Sequence, residues 1–411
     1  MADSASKGRR RSQSDAVRTA PDVLGPRVVL LLCVLALTLI GFVMIYSASS
    51  ITAITENTSS ASYLIDQLVF AVAGVAVALV LWKVVPYRVW AGPAVYVIWG
   101  LSIVLLAATA VAGIAANGAQ RWLVLMTSPI TVSIQPSEFV KIALVLMAAR
   151  LFSDLRRGSI DGRTFLTQVI VLVVVPVFIL FITQSDLGTT AVIFVGVIAV
   201  MWLGEVPLKT IGLIVLLAVV FAIAATVFSS YRSDRFLYLD PWNDGEGGQG
   251  AGYQIAHSYY AFSEGGLFGV GLGNSHEKYL YLPESETDFI FAIIGEELGL
   301  VGAMVIIFLF LAVLWAGMRI ARAAYDDFGS MIAGALTIML VFQAFLNIGC
   351  TIGVFPTTGK PLPFISSGGS SLVASFIMVG IVLAVSKDTG AASIHERRRD
   401  NLRVVREAGA R

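Results

Sequence analysis

The sequence predicts an all-α polytopic membrane protein of about ten transmembrane helices, with a large extracytoplasmic loop between helices 7 and 8. Three observations predict it. Of 411 residues, 57% are hydrophobic and 13% charged, with mean hydropathy +0.83, whereas soluble domains run nearer a quarter charged. Apolar runs recur that reach the roughly 20 residues needed to cross a hydrocarbon core of about 30 Å. Basic residues alternate between successive loops as the positive-inside rule requires.

The tail 1–26 is Ser/Arg-rich and too poor in apolar residues to bury a core, which predicts a disordered cytoplasmic segment. The first span, 28–47, exceeds the usual apolar length of a cleaved leader, so the small residues Ser47, Ala48 and Ser49 read as the end of a signal anchor. Further spans are predicted at 63–81, 90–112, 138–152, 166–183, 187–203 and 210–228. The fourth is short and carries Glu138 and Lys141. Deleting it would invert every later loop and move Arg319 and Arg322 outside, so charge argues for keeping it. The segment 229–288, rich in Asp and Glu, leads to spans at 289–318, 332–352 and 371–385, and a basic cytoplasmic tail 387–411 closes the chain. The membrane domain is thus 27–386. Its inner side receives Arg27, Lys83, Arg88, Arg150, Arg156, Arg157, Arg163, Lys209, Arg319 and Arg322. The outer side receives Arg121, Arg232, Arg235, Lys278 and Lys360.

Several classes are disfavoured. Cys33 and Cys350 fall within or beside apolar spans and give no disulfide framework. No internal repeat or inverted similarity is visible, which argues against a repeat-built transporter. The glycines at 245–252 and 265–273 follow no strand and precede no Lys-Ser/Thr helix start, so they make no nucleotide loop. They read as flexible hinges around an aromatic interfacial helix at 253–262. No nucleic-acid partner is expected.

Ionisable residues in a bilayer are costly and mark functional candidates. Arg121 and Trp122, in Asn117-Gly-Ala-Gln-Arg-Trp, read as an interfacial anchor or as part of a site. In Gln135-Pro-Ser-Glu138, Ser137 is a candidate cap, and Glu138 with Lys141 at i, i+3 forms a structural ion pair, an anion holder, or both. Asp186 is placed to cap the next helix. Asp288, with Glu284 and Glu286 before it and Glu296 and Glu297 two turns on, stands at the mouth of an apolar helix as a cap, a base or a cation ligand. The loop 359–370 carries Lys360, Ser366 and Ser367 with many backbone donors, which suits a pyrophosphate.

In this order the elements resemble the SEDS family, the shape, elongation, division and sporulation proteins, and within it the FtsW division branch more than the RodA elongation branch. The motifs GAQRW, QPSEFVK, DLGTT, DPW, GYQ, GGLFGVGLGNS, YLPESETDFIFAIIGEELG and GKPLPFISSGGSS carry the resemblance along the whole membrane region. The departures are Ser185, Ser367 and Glu286, where many relatives have Pro, Tyr and His. The resemblance implies a polymerase of lipid II, the lipid-linked disaccharide-peptide, on the outer face of the plasma membrane at the division septum. It implies work beside a monofunctional class B penicillin-binding transpeptidase and other division proteins, with the polyprenyl-linked glycan strand and membrane lipid as further partners.

The same resemblance implies that Asp288 is the catalytic acid. It places Arg121, Trp122, Glu138, Lys141, Asp186, Lys360, Ser366 and Ser367 around the substrate. The step needs a base for the attacking hydroxyl and positive charge for the pyrophosphate. A divalent metal ion, magnesium or manganese, is therefore an expected cofactor, with Asp288 as its ligand or as the base. A lipid II flippase and a scaffold for division proteins are the other classes the sequence allows.

Overall fold

The computed structural model describes residues 23–116, 119–126, 132–184, 186–227, 240–250 and 252–388. Both predicted tails lie almost wholly outside the described residues, as do 229–239 of the long loop. The described residues form eleven principal helices. They are α1 Leu24–Ala48, α2 Ser60–Lys83, α3 Ala94–Ala112, α4 Pro136–Arg156, α5 Gly162–Gln184, α6 Leu187–Leu203, α7 Leu208–Val227, α8 Tyr253–Gly265, α9 Ile290–Arg322, α10 Asp327–Thr351 and α11 Gly369–Asp388. All but α8 coincide with a predicted span. Seven are long and apolar enough to cross a membrane on their own terms, and α6 and α7 are shorter apolar helices.

The odd one is α4, and its surroundings explain its low hydropathy. It packs against α3, α6 and α10, and nearly every side chain from Pro136 to Asp154 is buried, Glu138 and Lys141 included. A helix that faces protein all round can carry charge that a lipid-facing helix cannot. Burial sorts the others. In α10 and α11, 83% of the most apolar window is buried, against 17% in α5 and 22% in α2 and α3, so the former pair is central and the latter three form the apolar wall. Pro136 starts α4 where its missing N–H costs nothing. A π-helical turn at Ile170–Val174 interrupts α5, and the carbonyl of Leu172 accepts the Trp99 indole N–H at 2.7 Å.

Two readings need correction. The stretch around Arg121 is a small antiparallel sheet, β1 Ile114–Ala116, β2 Ala119–Met126 and β3 Val132–Ile134, in the order β1-β2-β3, so the fold is helical apart from this sheet. Cross-strand pairing of Ile114 with Trp122 and of Leu123 with Ile134 fixes its register.

The glycine-rich stretches are not hinges. Around 245–252 the backbone wraps Asp244, whose Oδ1 accepts from Glu246 and Gly248 and whose Oδ2 accepts from Gly250 and Gly252. Those hydrogen bonds, that from Gly248 foremost, hold its carboxyl down to about 2.

Around 265–273 the glycines permit a splice. Helix α9 is broken at Gly299, where φ is +69°. The freed carbonyls of Glu296 and Glu297 accept from Val270 and Gly271, and the freed N–H groups of Leu300 and Val301 donate to Gly266 and Leu267. A Cβ at Gly269 would collide with the Glu297 carbonyl, which is why glycine stands there. The splice is fastened from α1, since Ser47 and Lys278 both bind the Glu297 carboxylate, Lys278 at 3.0 Å.

Candidate active site

The end of the bundle next to residues 240–250 and 252–288 holds a buried chain of alternating charge. Asp186 caps α6 through the Thr189 N–H at 2.9 Å, and its Oδ2 pairs with Lys360 Nζ at 2.9 Å. Lys360 also reaches Glu138 Oε1 at 3.3 Å, and Glu138 Oε2 pairs with Lys141 Nζ at 2.6 Å. Lys141 donates onward to Gln343 Oε1 at 2.6 Å. None of the four ionised residues is more than 2% exposed. Two carboxylates and two ammonium groups sum to zero, which is what makes the burial tolerable. Burial pulls the Lys360 ammonium down, but the Asp186 and Glu138 carboxylates outweigh it and hold the group above its ordinary value. The motif DLGTT now has a physical reading. Asp186 takes the Lys360 ammonium, and Gly188 leaves room for its stem, which a Cβ there would strike.

Above this chain opens a cavity of about 830 Å³. Asp288, in the turn that precedes α9, lines it together with Glu284, Arg121, Trp122, Lys360 and Ser367. Among the described residues the Asp288 carboxylate accepts no hydrogen bond and forms no ion pair. Burial, then the neighbouring Glu284 carboxylate, pushes it up to about 6, with the Lys360 and Arg121 cations acting the other way. Arg121 is positioned from β2, its Nε donating to the Gln184 carbonyl at 3.0 Å. Strand pairing explains how a residue from a nominal loop is held in the wall. Glu284 sits in the left-handed region with φ +57°, a conformation usually left to glycine, and its carboxylate accepts from Thr287 Oγ1 at 2.6 Å.

The predicted residues therefore divide. Asp288, Arg121, Trp122, Lys360 and Ser367 face the cavity. Glu138, Lys141 and Asp186 do not line it; Glu138 and Asp186 pair with Lys360, and Lys141 pairs with Glu138, so the capping reading of Asp186 and the ion-pair reading of Glu138 and Lys141 hold geometrically. Ser366 is buried in a turn, its Oγ accepting from Leu362 N at 2.8 Å and donating to the Thr287 carbonyl at 2.6 Å, which ties the Lys360 loop to the Asp288 turn. Sequence reasoning gave Gln254 no role beyond its place in GYQ and passed over Gln343 and Asn347. The last two stand at i, i+4 in an otherwise apolar span, a signal that was available.

Among the described residues no three His, Cys, Asp or Glu side chains converge as a metal cage. The donor set still fits a magnesium-like ion, which binds through one or two carboxylates, waters and substrate phosphates. Asp288 and Glu284 line the same space and supply two such carboxylates.

The chain matches the cell cycle protein family FtsW/RodA/SpoVE over residues 27–390. It is 39% identical over 363 residues to the "probable peptidoglycan glycosyltransferase FtsW" of Trichlorobacter lovleyi, covering 87% of this chain and 92% of that one. It is 36% identical to stage V sporulation protein E of Bacillus subtilis, with 90% and 98% covered. Among solved structures it resembles a chain of a peptidoglycan synthase complex that coordinates polymerization and crosslinking, with a TM-score of 0.68, 28% identity and 88% and 97% covered. It also resembles the rod shape determining protein RodA of Thermus thermophilus, with a TM-score of 0.63, 28% identity and 88% and 96% covered. The family match begins in α1 and runs past the end of α11, taking in every spanning helix and the whole cavity, and on that ground the chain belongs to the FtsW/RodA/SpoVE family of cell cycle proteins.

Proposed function

We propose that this protein is a peptidoglycan glycosyltransferase that polymerises lipid II into glycan strands for cell division, with the cavity opening on the outer face of the plasma membrane. The observation that carries this reading is the pairing in one cavity of an unpartnered carboxylate, Asp288, with two cations, Lys360 and Arg121. The 4-hydroxyl of one disaccharide attacks the anomeric carbon of another. Its proton passes to the Asp288 carboxylate as the new C–O bond forms, and the old bond to the polyprenyl pyrophosphate breaks on the opposite side with inversion. Lys360 and Arg121 stand on the same wall to face the charge of the leaving group. Asp186 and Glu138 keep Lys360 charged and in place, so their role is positioning.

A divalent cation would be held by Asp288 and Glu284 and would supply further positive charge to the pyrophosphate. Likeness to a chain of a peptidoglycan synthase complex supports a crosslinking partner, which we assign to a class B penicillin-binding transpeptidase at the septum. The test uses purified protein, lipid II and magnesium or manganese, with products resolved on a gel. Glycan strands are expected from the native protein and none from Asp288→Asn, which preserves size. Near-normal strands from the Asn variant would overturn the role of Asp288. Transbilayer movement of lipid II with no strands from either protein would turn the reading to a flippase.

A further inference from the structure

Beneath the cavity, α10 presents two polar side chains one turn apart, Gln343 and Asn347. Asn347 is 2% exposed and lines the cavity. Its Nδ2 donates to two backbone carbonyls, that of Asp288 at 2.8 Å and that of Lys360 at 2.8 Å. These bonds fix the amide's orientation, because turning it over would aim Oδ1 at two carbonyl oxygens. The Oδ1 so placed is buried and has no hydrogen-bond partner among the described residues. A buried acceptor left unpaired is rare enough to need a reason. One turn earlier Gln343 binds the Pro361 carbonyl at 3.0 Å and Ser371 Oγ at 3.2 Å, so the same helix face holds the cationic loop from below at two points.

We propose that Asn347 is both the clamp that sets the Asp288 turn against the Lys360 loop and a substrate contact, its Oδ1 accepting a hydrogen bond from the sugar held at Asp288. The inference rests on glycosyl transfer at Asp288. A pyrophosphate is an acceptor at neutral pH and offers Oδ1 nothing. A sugar offers hydroxyl O–H groups and an acetamido N–H. Asn347 therefore reads the sugar, while Lys360 and Arg121 read the phosphates.

The test compares native protein, Asn347→Leu and Asn347→Asp on lipid II and on analogues in which one donor is removed, by deoxygenation of a hydroxyl or by acetoxy in place of acetamido. Native protein is expected to lose about tenfold in kcat/KM on one analogue, and Asn347→Leu to lose at least that on lipid II while being indifferent to that analogue. Which analogue it is identifies the donor. Asn347→Asp retains an acceptor oxygen in the place of Oδ1 but lacks the two Nδ2 bonds. It is expected to keep the analogue discrimination and to lose kcat, because the Asp288 turn and the Lys360 loop are no longer clamped together.

Lipid II binding by the non-turning Asp288→Asn protein is measured in parallel, and Asn347→Leu should weaken it about tenfold. If native protein makes no strands yet this binding loss appears, the polymerase reading falls and the contact stands. Monodisperse Asn347→Leu that keeps native rates, keeps native sensitivity to every analogue, or is restored by raising the divalent metal overturns the inference.

Discussion

At the scale of single residues, the proposed chemistry turns on Asp288, a carboxylate with no hydrogen-bond or ion-pair partner among the described residues. Asp288 is pushed up to about 6, so below that pH it already carries the proton that the proposed base would have to accept. The rate is expected to rise with pH along an acid limb near 6, measured as kcat/KM for strand synthesis, and an acid limb near 4 would count against a buried base. The linkage to folding has the opposite sense. Between the ordinary Asp value of 3.8 and about 6 the folded state binds the extra proton, so this residue's contribution to stability falls as pH rises through that window. Asp288→Asn should accordingly melt higher than native protein at pH 8, by an amount worth on the order of 1–3 kcal/mol. Glu138 and Lys141 were legible as candidates because charge in an apolar span is conspicuous, Asp186 by its place before a span, and Lys360 by the donor-rich loop that carries it. The Glu138–Lys141 pair was legible too, from its i, i+3 spacing, but the links of Lys360 to Glu138 and Asp186 were not, since Lys360 lies 222 residues from Glu138 and only the packing of α4, α6 and α10 brings them together.

At the scale of elements, the splice at Gly299 explains the densest motif in the chain. GGLFGVGLGNS and GEELG are two halves of one backbone joint, and no periodicity in either reveals the other. The spans themselves were legible, because apolar runs of roughly 20 residues have few other readings. The β-sheet was not, because eight residues from Ala119 to Met126 with two charged or bulky interruptions look like a loop until their partners are known. Gly299→Ala should destabilise the detergent-solubilised protein by about 2 kcal/mol or more, the sum of a left-handed backbone and a collision with the Gly269 strand. Thermal unfolding measures this, and hydrogen exchange should show the amides of Leu300 and Val301 losing protection. An unchanged melting temperature would mean that the joint is looser than its hydrogen bonds imply.

At the scale of the whole molecule, the ten bundle helices of the described residues put the cavity at one end and the Arg319 and Arg322 turn of α9 at the other. If the basic end is cytoplasmic, a cysteine placed at exposed Arg157 is protected from an impermeant reagent added to whole cells, while one at exposed Glu246 is labelled. Labelling at position 157 would invert the orientation and with it the side on which strands are made. The break in α9 has one more effect at this scale. A continuous helix of 33 residues would transmit every change of bilayer thickness to its far end as tilt. Interrupted at Gly299, the helix has both lips held by the 266–271 backbone, the stub 290–298 through the Glu296 and Glu297 carbonyls and the shaft through the Leu300 and Val301 N–H groups, so tilt of the shaft is shared with the outer segment and with α1 rather than passed straight along one rod to the stub.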